Sequence, residues 1–238
     1  MQYRHHIRQI IKMEYKKLTK PLVVALDLDE TIHDVIEVYE NAFNLTRQHL
    51  GMEPLSKQQI DLLHKDGYKR TSETYNIVFG ERATEALKYY YNTLHMNYIP
   101  EDYVFPGAKE MLAGIKSRGV HLIAVTNSDQ HIAKKILRDI KLFDFFDSVT
   151  GVKPDRVLKP DPELLRIGLK KIGQEPGKHV WFMGDSATDT QCAKITGCTA
   201  IRYYHQHKQK PEDLNADAFF TCHFEFLAAI EYFYSEDA

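Results

Sequence analysis

A chain of 238 residues with 43% hydrophobic content can enclose a sizeable interior, as one large domain or as a core carrying an insertion. A formal net charge of -2 argues against a general nucleic-acid binder, and the absence of any apolar run of spanning length leaves no transmembrane helix to expect. The N-terminus lacks an apolar core followed by a small-residue cleavage site, and the three cysteines, Cys192, Cys198 and Cys222, are odd in number and lack zinc-type spacing, so a cytoplasmic protein with small buried thiols is expected.

Residues 1–20 read as a basic helical extension. Arg4, Arg8, Lys12, Lys16 and Lys20 recur every four residues beside a partial apolar stripe of Ile7, Ile10, Ile11 and Leu18. Such a helix could touch an acidic partner or a membrane surface, or simply lie solvated beside the first strand.

The next segment, Leu22-Val23-Val24-Ala25-Leu26, is an uninterrupted apolar run that ends in Asp27-Leu28-Asp29-Glu30-Thr31. It predicts a strand buried on both faces, as in the middle of a parallel sheet, with the carboxylates at its C-terminal end. In open α/β sheets that edge is where ligands bind. Side chains alternate along a strand, so Asp27 and Asp29 point the same way and repel unless a cation lies between them. A hard divalent metal is the natural partner; a solvated acidic strand end is the alternative.

The strand signal then vanishes for about sixty residues. Helical spacing is carried by 35–50, 57–64, 72–79 and 82–96, with breaks at Gly51, Pro54, Gly67 and Gly80. After a linker at 97–106, strands and helices alternate: helix 107–118, strand 121–126, helix 131–140, strand 147–150, helix 162–172, strand 180–183, helix 188–196 and strand 199–203. Alternation of this kind means crossover units and a parallel sheet. The expected fold class is therefore α/β, a doubly wound, Rossmann-like parallel sheet with a helical domain inserted after the first strand. The expected domains are the extension 1–20, a core of 21–33 and 99–238, and the insertion 34–98.

Three further strand ends carry polar residues suited to anions. Thr126-Asn127-Ser128 precedes a helix N-terminus, where either anion binding or helix capping would use these residue types. Gly184-Asp185-Ser186-Ala187-Thr188-Asp189 adds two carboxylates at the same sheet edge, with Asp189 also suited to helix capping. Lys-Pro-Asp occurs at 153–155 and again at 159–161, and only the second copy leads straight into a helix. Lys159 is accordingly the better candidate for a fixed cation.

In this order and at successive strand ends, Asp27-x-Asp29-x-Thr31, Thr126-Asn127, Lys159-Pro160 and Gly184-Asp185-Ser186-x-x-Asp189 resemble the four motifs of the haloacid dehalogenase superfamily. The stretch at 34–98 resembles that superfamily's α-helical cap. The resemblance implies that Asp27 is a nucleophile forming an aspartyl-phosphate and that Asp29 protonates the leaving oxygen and later activates water. It implies magnesium held by the Asp27 side chain, the Asp29 backbone carbonyl and Asp185, with Asp189 orienting Lys159 or a metal-bound water. Thr31, Thr126, Asn127 and Lys159 would contact phosphate.

An aspartate at position 29 favours phosphate-ester hydrolysis, or phosphate transfer between hydroxyls, over dehalogenation. The implied activity is a magnesium-dependent phosphatase acting on a small phosphorylated metabolite: phosphoglycolate, a nucleoside monophosphate or a sugar phosphate. The alternatives are a beta-phosphoglucomutase-like transferase and a non-catalytic binding protein of the same fold, each as a monomer or dimer. Glu30 departs from the glycine common at its position, which weakens a specific assignment to phosphoglycolate. Gly67-Tyr68-Lys69-Arg70 resembles a cap specificity loop in which Arg70 could grip a phosphate or carboxylate, or stand exposed at a helix start. Tyr89-Tyr90-Tyr91 reads as packing rather than as a platform for a base.

Overall fold

The computed structural model describes residues 17–66, 72–90, 103–153, 157–204 and 215–235. The basic segment before residue 17, and with it most of the expected extension, lies outside them, as do Arg70, Tyr91 and the return linker up to residue 102. Among the described residues, six strands form one parallel sheet in the order β3-β2-β1-β4-β5-β6: β1 (Val23–Leu26), β2 (His121–Asp129), β3 (Ser148–Val152), β4 (Val180–Gly184), β5 (Thr199–Tyr203) and β6 (Ala218–Phe220). All four residues of β1 are fully buried, as a central strand covered on both faces requires. Leu22, part of the same apolar run, is half-exposed and precedes the strand.

The helices of this α/β unit are α5 (Ala108–Lys116), α6 (Gln130–Asp139), α7 (Glu163–Lys171), α8 (Ala187–Ile195) and α9 (His223–Tyr234); between β1 and α5 in the chain come α1 (Val35–His49), α2 (Lys57–Asp66), α3 (Ser72–Phe79) and α4 (Ala83–Tyr89). One sheet face packs Val23 and Ala25 with Ile123, Val125, Val180 and Phe182 against Leu164, Leu165 and Leu169 of α7 and Cys192 and Ala193 of α8. On the opposite face Trp181, fully buried, meets Phe226 and Phe233 of α9 at ring-centroid distances of 6.0 and 5.5 Å. Cys192 and Cys198 are buried and Cys222 half-buried, all as free thiols.

Two features depart from the sequence reading. β2 continues past Thr126 to Asp129, because a register shift between Val125 and Asp129 keeps the polar residues extended alongside β3. Asp129, not the Thr-Asn-Ser run, caps α6, accepting from the His131 and Ile132 amides at 2.8 and 3.1 Å. β6 was not expected at all: Asp217 anchors it beside β5, accepting from the Ala200 amide at 2.8 Å and from Lys194 at 2.5 Å.

The chain divides into two compact units, Met1–His33 with Val104–Ala238, and Asp34–Tyr103. The second unit, α1 to α4, has its own core around Phe43, on which Tyr90 stacks at 5.5 Å while Phe79 meets it edge-on at 5.8 Å. Asp34 caps α1 through the Ile36 amide at 2.9 Å. Tyr89 stacks on His49 at 3.7 Å. Of the helix expected over 82–96, the described part comprises a 3-10 turn at Gly80–Arg82 and α4. No described helix is long and apolar enough to cross a membrane.

Candidate active site

The strand order reverses between β1 and β4, and at such a switch point the loops leaving the carboxyl ends diverge and open a crevice. Asp27 stands at its base. The Asp27 amide donates to the Met183 carbonyl at 2.9 Å, extending the β1–β4 pairing one residue beyond the strand. The chain then turns tightly: the Thr31 and Ile32 amides donate to the Leu28 carbonyl at 3.2 and 2.8 Å, and the Glu30 amide donates to the His33 carbonyl at 3.0 Å. Glu30 sits at φ 58°, in the left-handed region. That conformation is why glycine suits this position and why a glutamate here carries strain.

Lys159, delivered from the loop between β3 and α7, is the hub. Its Nζ donates to Asp27 Oδ1 at 2.7 Å, to Asp189 Oδ1 at 2.6 Å and to the Val125 carbonyl at 2.9 Å. These three acceptors satisfy the ammonium, and the lysine is only 4% exposed. Burial works against its charge, yet the Asp189 and Asp27 carboxylates outweigh it and raise the lysine pKa above its ordinary value. Asp189 spends its second oxygen on Ser186, whose amide and hydroxyl donate to Oδ2 at 3.1 and 2.5 Å in the capping box that starts α8. Asp189 therefore both contacts Lys159 and completes the capping box of α8. Gly184 is required by this packing, since a Cβ there would overlap the Asp189 carboxyl.

Asp27 is pushed the other way by its surroundings. Burial raises its carboxyl well above the usual carboxylate range; Lys159 opposes this, while Asp189, Asp185 and Asp29 add to it. Carboxylate oxygens of Asp27, Asp185 and Asp189 lie within 4.8 Å of one another. One lysine cannot balance that concentration of negative charge. The donor set, carboxylates only, fits a hard divalent cation such as magnesium. Both Asp189 oxygens are engaged, by Lys159 and by Ser186, so Asp27 and Asp185 are the better candidates to hold an ion.

The remaining predicted residues take distinct places. The Asp29 Oδ2 accepts from Ser128 Oγ at 2.6 Å, and Asp29 Oδ1 lies 3.4 Å from His33 Nε2. Thr126 is buried, and its Oγ1 accepts from the Ser128 amide at 3.0 Å, which leaves the hydroxyl proton to donate elsewhere. Asn127 clasps the Lys159 backbone, accepting from its amide at 2.7 Å and donating to its carbonyl at 3.3 Å. Its side chain thus sets the lysine loop in place. Thr31 is fully buried; its carbonyl lies 2.7 Å from His223 Nε2, and its hydroxyl has no hydrogen-bond partner among the described residues. Lys153 is exposed, as expected of the other Lys-Pro-Asp copy.

Ser128 and His33 were missed as site residues. Ser128 is two residues beyond Thr126 on an extended strand, so the period-2 rule that paired Asp27 with Asp29 would have placed it on the same face as Thr126. His33 carried no comparable signal, because only the turn at 28–33 brings it back to Asp29.

Comparisons with known proteins give the family and the fold. Residues 24–203 match the family model described as haloacid dehalogenase-like hydrolase. A phosphoglycolate phosphatase from Chromobacterium violaceum is 28% identical over 186 residues, covering 75% of this chain and 82% of that protein. Among solved structures, a HAD-superfamily hydrolase of subfamily IA from Geobacter sulfurreducens superposes with a TM-score of 0.71 at 23% identity, covering 89% of this chain and 97% of its own. A Thermotoga maritima structure described as a candidate beta-phosphoglucomutase gives a TM-score of 0.72 at 22% identity, covering 88% of this chain and 98% of its own. With its family model matched over most of the chain, this protein belongs to the haloacid dehalogenase-like hydrolases.

Proposed function

We propose that this hydrolase is a magnesium-dependent phosphatase that cleaves a small phosphomonoester through an aspartyl-phosphate on Asp27. The observation that carries the reading is the buried Lys159 held between Asp27 and Asp189 at the sheet's switch point, beside Asp185 and Asp29. Lys159 occupies Asp27 Oδ1. An Asp27 carboxylate oxygen attacks phosphorus, as the ester P–O bond breaks and the departing alkoxide takes a proton from the Asp29 carboxyl. In the second half, Asp29, now a carboxylate, takes a proton from water; the water oxygen bonds to phosphorus, and the acyl-phosphate P–O bond to Asp27 breaks to release inorganic phosphate. Thr126, through its free hydroxyl proton, and Lys159 hold phosphate oxygens as charge builds on them. Asp27, Asp185 and the Asp29 backbone carbonyl would hold magnesium, which would supply positive charge to neutralise the phosphate.

Phosphoglycolate is the first substrate to test, given the Chromobacterium violaceum relative, with nucleoside monophosphates and sugar phosphates beside it. The test is phosphate release from this panel, with and without magnesium, by wild-type and Asp27→Asn protein. Magnesium-dependent release by wild type alone supports the proposal. Turnover retained in a folded Asp27→Asn variant overturns it, and an isomeric sugar phosphate formed in place of inorganic phosphate would make the protein a mutase.

A further inference from the structure

Among the described residues, one hydrogen-bonds the Asp29 carboxyl and another stands against its second oxygen. Ser128 Oγ donates to Oδ2 at 2.6 Å, and His33 Nε2 stands 3.4 Å from Oδ1. Both holders are rigidly placed. His33 is fully buried and pinned by the turn that begins at Leu28, its own carbonyl accepting the Glu30 amide at 3.0 Å. Ser128 is buried, its amide donates to Thr126 Oγ1 at 3.0 Å, and β3 passes so close that a Cβ on Gly151 would fall 2.6 Å from the Ser128 carbonyl oxygen. The Asp29 side chain itself stays 25% exposed. A carboxyl hydrogen-bonded at one oxygen and flanked by a buried imidazole at the other, yet open on one face, is constrained in torsion while remaining reachable. An acid that must deliver a proton to a departing oxygen needs that combination, because proton transfer depends on hydrogen-bond geometry held to a fraction of an ångström.

We propose that Ser128 and His33 are positioning residues that orient the Asp29 carboxyl for proton delivery to the leaving group. This inference rests on the assignment of Asp29 as general acid. It implies that the protein is built for phosphate esters of aliphatic alcohols, whose alkoxides leave poorly without a proton, rather than for acidic leaving groups.

The experiment compares kcat/KM, which reports the first chemical step, for an alkyl phosphomonoester and for p-nitrophenyl phosphate, whose leaving group needs little protonation. In Ser128→Ala the alkyl-to-aryl ratio of kcat/KM is expected to fall about tenfold, in line with loss of one hydrogen bond. His33→Asn, a second and independent variant, is expected to lower the ratio in the same direction, and Asp29→Asn to lower it furthest. An equal fall for both substrates, or no fall, in both positioning variants while Asp29→Asn still discriminates would overturn the clamp and leave Asp29 as the acid. If Asp29→Asn shows no leaving-group discrimination, the general-acid assignment itself fails, and the clamp with it.

Discussion

Replacing Lys159 with methionine removes the ammonium while keeping much of the side chain's bulk, and so isolates its charge. The structure predicts what remains: Asp27 and Asp189, both buried, each losing a charge-assisted bond of 2.7 or 2.6 Å. Leaving one partner of a buried pair uncompensated costs about 3–5 kcal/mol. For a chain of this size that corresponds to a fall in Tm of about 6–20 °C. The loss should depend on pH in a defined direction. Without Lys159 the folded-state pKa of Asp27 rises further above the unfolded value, because only burial and like charges remain. The folded variant then binds more protons than the unfolded chain between the two values, so its stability falls as pH rises through that window. Thermal unfolding of wild type and Lys159→Met in EDTA, from pH 5 to 8, is the assay. A deficit that is large at pH 8 and shrinks toward pH 5 is expected. A Tm within about 2 °C of wild type, or a deficit that grows on acidification, would refute the account of Lys159 as the counter-charge of the site.

Three other perturbations follow from particular contacts. Glu30→Gly relieves a left-handed residue at φ 58° and should raise stability by about 0.5–1 kcal/mol, read from chemical denaturation; an unchanged or lower midpoint would contradict the strain argument. Gly184→Ala drives a Cβ into Asp189, so phosphatase activity should drop by about a hundredfold or more while the far-ultraviolet circular dichroism stays native. Asp147 is held below its ordinary pKa: burial raises it, but hydrogen bonds from Lys116, the Leu122 amide and His121 more than offset burial. Its contribution to stability is therefore present above the unfolded pKa and lost as pH falls through the folded one. The Tm difference between wild type and Asp147→Asn should close below about pH 4, and a difference that persists undiminished to pH 2 would rule this out.

Where local pattern and tertiary outcome coincide, the sequence was sufficient. The apolar run ending at Asp27 could only be a central strand, and Lys159, introducing a helix with a leucine-rich face, was separable from Lys153 by its neighbours alone. Ser72–Phe79 and Thr199–Tyr203 fell within the expected boundaries for the same reason, each being bounded by residues that stop its periodicity. Asn127 to Asp129 were misjudged because three polar residues do not look like a strand, and only the partner β3 keeps them extended. β6 is three residues long and owes its existence to pairing with β5 and to Asp217, neither visible in a local window. The grip of Ser128 on Asp29 joins positions 99 residues apart, a distance that no motif spacing encodes.

That last property extends to the whole catalytic cluster. The Lys159–Asp27 bond spans 132 residues of chain and the Lys159–Asp189 bond 30, with β2 and β3 added to the sheet in between. Contacts so distant along the chain form late in folding, after the loop-closure entropy of the intervening segments has been overcome. A nascent or partly unfolded chain thus exposes no assembled nucleophile, and the appearance of activity during refolding should mark the last step of sheet assembly rather than the first.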